Sequence, residues 1–193
     1  MDLRFLGTTS MAQTKPFTVD EATIGDIHAA LRSGEITCRK LLQMCLDRIE
    51  AYDKKGPALN AILMINPKAL QTADELDRAF AAKGPVGPLH CIPVLLKDNF
   101  DTADMPTTSA SKALEGAVPL ADGTVVRKLR QAGALFLAKI NMQELAQGGV
   151  NVSSLGGQTR NPYDLGRTPG GSSGAPAREL RQTSGPSGRG RIR

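Results

Sequence analysis

The stretch Gly87-Pro88-Leu89-His90-Cys91-Ile92-Pro93-Val94-Leu95-Leu96-Lys97-Asp98-Asn99 decides how the chain is read. Two Gly-Pro breaks at 84–85 and 87–88 precede an apolar run, Ile92 to Leu96, which is short enough to be a buried strand and closes on Lys97. A polar loop follows through Asp98 to Ser111. Beyond it the pattern predicts a helix near 123–132, a break at Gly133, a strand over Leu135–Ala138 and a short helix near Met142–Ala146. Upstream, the run from Leu59 to Ile65 reads as another strand. Pro67 can open a helix that carries Leu70, Ala73, Leu76 and Phe80 on one face. Further back, Thr37 can cap an amphipathic helix near 38–53, with Leu41, Cys45, Ile49 and Tyr52 at three- and four-residue spacing. Thr23 can cap a shorter one through Ile24, Ile27 and Leu31, stopped by Gly34. Strands alternating with helices predict an α/β fold, with helices packed on a mixed or mostly parallel sheet.

Composition narrows the function classes. The 193 residues are 40% apolar and 22% charged, ordinary globular usage that fits neither wholesale disorder nor a membrane protein. Aromatic residues make up 4%, with no Trp, which argues against a base-stacking module for single-stranded nucleic acid. The net charge of +5 is unevenly placed. Residues 1–173 hold 19 Lys/Arg against 18 Asp/Glu, whereas 174–193 hold five Arg against Glu179 alone. Cys38, Cys45 and Cys91 lack metal-ligand spacing, and an odd number closes no disulfide framework, so they are expected as buried thiols in a reducing compartment. Residues 1–17, expected to be an unstructured segment, contain no apolar run of signal-peptide or membrane-span length; a cytoplasmic protein without membrane partners is expected.

Two places could carry chemistry. Burial of a lysine among neighbours such as Val94, Leu95 and Leu96 disfavours the charged form, and a neutral amine can act as a general base. The competing reading of Lys97 is a strand-end residue with its head in water. From Gly148 the chain turns rich in Gly, Ser, Asn and Pro, a long loop of the kind that is usually functional, and it ends in Gly170-Gly171-Ser172-Ser173-Gly174. Glycines there permit unusual backbone angles, and the two hydroxyls donate and accept. No Gly-Lys-Ser/Thr follows, so this is no phosphate-cradling loop. No strand directly precedes it and no Asp-then-His follows, so it is no nucleophile elbow either. His28 and His90 lack paired spacing and read as structural or surface residues. Asp98, Asp101 and Asp104 lack the glycine and glutamate of a calcium loop.

Four ordered blocks then carry a resemblance: Gly87 to Asn99, Lys139 to Ala146, Gln158 to Asp164, and Pro169 to Gly174. Together they resemble the N-terminal half of an amidase signature enzyme, and with the preceding helices the likeness covers about 20–174. The resemblance implies hydrolysis of carboxamide C–N bonds by a Ser–cis-Ser–Lys mechanism. In that mechanism Lys97 is the base and Ser172 the relay serine on a cis peptide, with loop support from Gly170, Gly171, Ser173 and Gly174. A small-molecule amide is then the implied substrate, and no cofactor or metal is expected. Cys91 departs from the glycine usual there, which bears on packing near Lys97. Ser153-Ser154-Leu155-Gly156-Gly157 is nearer the stand-alone amidases than the glutamine-amidase subunit of a tRNA-dependent amidotransferase, which shares the chemistry.

In that family the nucleophilic serine sits 24 residues after the relay serine, in a Gly-Gly-Ser turn that also forms the oxyanion hole. Counted from Ser172, that position falls beyond Arg193. The expectation is therefore a partial domain over 18–174, catalytically dead, with an incomplete sheet, exposed edges at 92–97 and 135–138, and low stability. Residues 175–193 are Arg-rich, with Leu180 and Ile192 as the large apolar residues, and are expected to be a disordered tail read out of frame. Shifting the frame by one nucleotide permits small residues resembling the family's next helix. A non-catalytic fragment whose basic tail binds nucleic acid is the competing class.

Overall fold

The computed structural model describes residues 16–174, so the expectations for the tail and for most of the N-terminal segment lie outside the described residues. Of the first 17 residues, Phe17 is ordered against the core and donates its backbone N–H to Glu35 Oε1 at 2.6 Å.

Helix α1 (Ile24–Ser33) begins where Thr23 and Asp26 close a reciprocal capping box, and it stops at Gly34, whose φ of +75° suits glycine. Helix α2 (Cys38–Arg48) starts at the Thr37 cap and runs into a π-helical turn, Ile49–Lys54, so the expected helix near 38–53 changes its winding in the last turns. Strand β1 (Ile62–Ile65) precedes α3 (Ala69–Lys83). Asp77 of α3 accepts the backbone N–H groups of Cys38 and Arg39 at 2.7 and 3.1 Å, satisfying free donors at the start of α2 and tying the two helices. Strand β2 (Pro93–Lys97), α4 (Thr124–Gln131) and β3 (Leu135–Ile140) complete the main layers. The expected short helix near 142–146 is a single 3-10 turn, Glu144–Ala146.

The sheet is mixed, in the order β1-β3-β2, with β1 antiparallel and β2 parallel to β3. All six residues of β3 are buried, as expected for a central strand covered on both faces. Leu135 and Leu137 join the core under α1, α2 and α3, whereas Phe136 faces the smaller cluster with Leu96, Met105 and Val126 of α4. The exposed edge expected at 135–138 is therefore not there, because β3 is flanked on both sides. Among the described residues the edge falls on β2 and β1.

Candidate active site

β2 and β3 are parallel, with Lys97 opposite Ile140 after a register shift between Val94 and Leu95, so both strands leave the sheet side by side. One strand ends on Lys97 and the other delivers Asn141, Met142 and Gln143 beside it. The segment 172–174 lies along this second exit as a short added strand. Gln143 N–H donates to the Ser172 carbonyl at 2.9 Å, Gly174 N–H donates to the Asn141 carbonyl at 2.8 Å, and Met142 bridges Ser173. The result is a side-chain contact between residues 75 apart in sequence: Lys97 Nζ donates to Ser172 Oγ at 2.6 Å. The Gly171–Ser172 peptide is cis. Lys97 is half-buried, so the water-facing reading of its head is replaced by a hydroxyl partner.

The glycines serve different ends. A Cβ on Gly171 would stand 2.9 and 3.0 Å from the Cα and carbonyl carbon of Gly149, a backbone-to-backbone approach that leaves room for hydrogen alone. A Cβ on Gly174 would strike the Asn151 side chain and the Asn141 carbonyl. Ser173 contributes through its backbone bridge to Met142.

A buried polar layer holds this arrangement. Asn141, fully buried, accepts Met142 N–H at 2.9 Å and Ser153 O–H at 3.0 Å through Oδ1. Its Nδ2 donates to Thr159 Oγ at 3.1 Å and to the Gly157 and Asn60 carbonyls. It thereby anchors the hairpin of β4 (Val152–Ser153) and β5 (Gly157–Gln158) to the end of β3. Beneath the loop that follows Lys97, the Asp98 carboxylate accepts Thr108 O–H, Thr108 N–H and Ala110 N–H. Lys139 is fully buried; its Nζ donates to the Phe100 carbonyl at 2.7 Å and Thr107 Oγ at 2.9 Å, and lies 3.9 Å from Asp98. Burial pushes the Lys139 ammonium below its ordinary value, opposed by Asp98, Asp101 and Asp104. Asp98 is thus an internal anchor. Glu144, half-buried, accepts Ser111 O–H and Ser154 N–H, which hold its carboxyl below the usual range.

A family model described as Amidase matches residues 40–177. The chain belongs to the amidase signature family. A glutamyl-tRNA(Gln) amidotransferase subunit from Acidothermus cellulolyticus is 44% identical over 156 residues, covering 80% of this chain and 30% of that protein. Its counterpart in Geobacter sp. (strain M21) is 44% identical over 158 residues, covering 81% and 32%. Among solved structures, the native peptide amidase from Stenotrophomonas maltophilia aligns with a TM-score of 0.76 at 44% identity, covering 80% of this chain and 32% of that one. Fatty acid amide hydrolase, at 23% identity and a TM-score of 0.74, shares the fold. The amidase-family chain therefore spans about a third of the length of these relatives.

Within this amidase segment the residues with no forewarning were Lys139, Asn141 and Asp98 in their holding roles. Their signal is a polar side chain at the end of an apolar strand, which by itself does not separate anchor from surface. A cavity of about 390 Å³ between α1, α2 and the sheet is lined by residues such as Ile27, Cys45, Ile92 and Leu137, with neither Lys97 nor Ser172 in its wall. No helix among the described residues is long and apolar enough to cross a membrane.

Proposed function

We propose that this chain carries the base-and-relay half of a carboxamide-hydrolysing site, with Lys97 as general base and Ser172 as relay serine. The observation that supports this reading above all is the 2.6 Å contact between Lys97 Nζ and Ser172 Oγ, next to the cis Gly171–Ser172 peptide. A neutral Lys97 amine accepts the Ser172 hydroxyl proton. The relay oxygen in turn accepts the proton of a nucleophilic serine as that serine attacks the amide carbonyl, and the protons return to the leaving amine. Gly170, Gly171, Ser173 and Gly174 hold the relay in place. The domain is read as 18–174 and its compartment as the cytoplasm.

The substrate proposed is a small-molecule amide, and the enzyme type a stand-alone amidase, in keeping with Ser153-Ser154-Leu155-Gly156-Gly157. The second reading, a glutamine-amidase subunit that works within an amidotransferase, is favoured by the names of the two curated relatives at 44% identity. A graft tests both. Residues 18–174 are placed in the matching third of the Stenotrophomonas maltophilia peptide amidase, and ammonia release is measured from peptide amides and from glutamine. Lys97→Ala and Ser172→Ala are each expected to lower kcat by roughly 10²–10⁴-fold. Full activity in the Lys97→Ala graft refutes the assigned roles, and preference for free glutamine selects the second reading.

A further inference from the structure

Cys38 is the first residue of α2 and Cys91 lies just before β2, yet their Cα atoms are 5.3 Å apart and each side chain is 1% exposed. That spacing falls within the range a disulfide spans, and the two sulfurs lie against each other. Both cysteines are buried as expected, and their pairing is what the cysteine count did not show. Cys91 also stands at φ +61°, a left-handed conformation that glycine adopts freely and cysteine only at a cost.

His90 orients the pair. Its Nδ1 accepts the Val86 N–H at 3.3 Å, which leaves the ring proton on Nε2, 3.8 Å from Cys38 Sγ. Burial, with His28 nearby, keeps the imidazole neutral against the opposing pull of Asp77. Cys45 is set apart: burial pushes its thiol up to about 11, and it stays protonated.

We propose that Cys38 and Cys91 form a thiol–disulfide exchange site, closed by a small-molecule disulfide of the oxidised-glutathione class and reopened by thiols, that fastens α2 to the segment leading into β2 and Lys97. The Cys38 thiolate attacks one sulfur of the incoming disulfide and expels a first thiolate, leaving a mixed disulfide on Cys38. Cys91, deprotonated, attacks the Cys38 sulfur and expels the second. The two protons released by the cysteines end on the two departing thiolates, so two protein thiols are oxidised and one external disulfide becomes two thiols. Because both sulfurs are buried, each exchange waits on local opening between α2 and residues 85–92. In a reducing compartment such pairs are typically transient and redox-sensing.

The same atoms invite a metal reading, since the ligand atoms of Cys38, His90 and Cys91 lie within 4.8 Å of one another. An Nδ1 already accepting a hydrogen bond, however, leaves Nε2 protonated, the reverse of a metal-bound imidazole, and three ligands fall short of the usual tetrahedral four. The test uses the 193-residue chain in oxidised and reduced glutathione, with thiols alkylated and mapped by mass spectrometry. In the oxidised buffer Cys45 alone is expected to be alkylated, with a peptide linking Cys38 to Cys91. Reduction is expected to restore three thiols and lower Tm by roughly 5–15 °C. Cys91→Gly should abolish the redox dependence of Tm. The proposal is overturned by three free thiols in the oxidised buffer, by a linkage through Cys45, by a redox-dependent Tm that survives in Cys91→Gly, or by stoichiometric zinc that shields Cys38 and Cys91 until chelated.

Discussion

Replacing Asn141 by alanine removes the side chain on which the end of β3, the β4–β5 hairpin and the Ser172 segment converge. The cost can be worked from its partners. Asn60 O keeps a second donor, Thr159 Oγ at 3.0 Å, so little is lost there. Met142 N–H and Ser153 O–H lose the oxygen they share, and both residues are buried. Each orphaned buried donor costs about 1–3 kcal/mol. With the small void left by the shortened side chain, Asn141→Ala is expected to destabilise the chain by about 3–5 kcal/mol, a large part of the 5–15 kcal/mol typical of a domain. Urea unfolding should show the midpoint falling at a nearly unchanged slope. Hydrogen exchange supplies a local measure: the Gln143 and Gly174 amides, which bind the Ser172 and Asn141 carbonyls, should exchange at least about tenfold faster. A loss under about 1 kcal/mol with unchanged exchange at both amides would refute the reasoning, because the hub would then be replaceable.

Two further outcomes follow from the same layer. Lys139→Met should destabilise by about 3 kcal/mol by leaving the Phe100 carbonyl and the Asp98 carboxylate without their buried cation. Since burial sets the folded Lys139 value below the unfolded one, the unfolded chain binds more protons between the two, and this residue's contribution to stability rises with pH through that window. The gap between wild type and Lys139→Met in chemical denaturation should therefore widen toward alkaline pH; a gap that narrows contradicts the sign. Gly171→Ala must push the segment off Gly149, separating Ser172 Oγ from Lys97 Nζ, while leaving overall stability within about 2 kcal/mol. A crystal structure of the variant with that contact intact at 2.6 Å would contradict the packing argument.

Periodicity made the elements legible because local preference and tertiary role agree in them. β3 is buried along its whole length since both its faces are covered, and α1 is bounded by the Thr23 cap and the Gly34 stop, both visible in the residue order alone. Lys97 and Ser172 were legible through the order of four motif blocks, although nothing in their spacing states that they touch. What escaped depends on long-range pairing. Lys139 and Ile140 extend β3 past the expected strand end because a buried lysine is tolerated once Phe100 and Thr107 meet its ammonium. Cys38 and Cys91 meet through the tertiary packing of α2, tied to α3 by Asp77, against the turn before β2, a placement no count of cysteines encodes. The edge expected at 135–138 was misplaced for the same reason: β1, earlier in sequence, returns antiparallel to occupy it.

The contact between Lys97 and Ser172 is held by a continuous series of bonds within the described residues. Lys97 is placed by β2, and β2 by its parallel register with β3. Ser172 is placed by backbone bonds to residues 141–143 at the exit of that same strand, and these are held by Asn141 reaching to Asn60, Gly157 and Thr159. Every link in that series lies between residues 60 and 174. The proposed base, Lys97, and the proposed relay, Ser172, are therefore both fixed to the sheet. Such a placement suits the chemistry, because proton transfer requires the lysine and serine to be within hydrogen-bond reach before the amide arrives, and a pair fixed to adjacent strand ends loses no conformational freedom on binding.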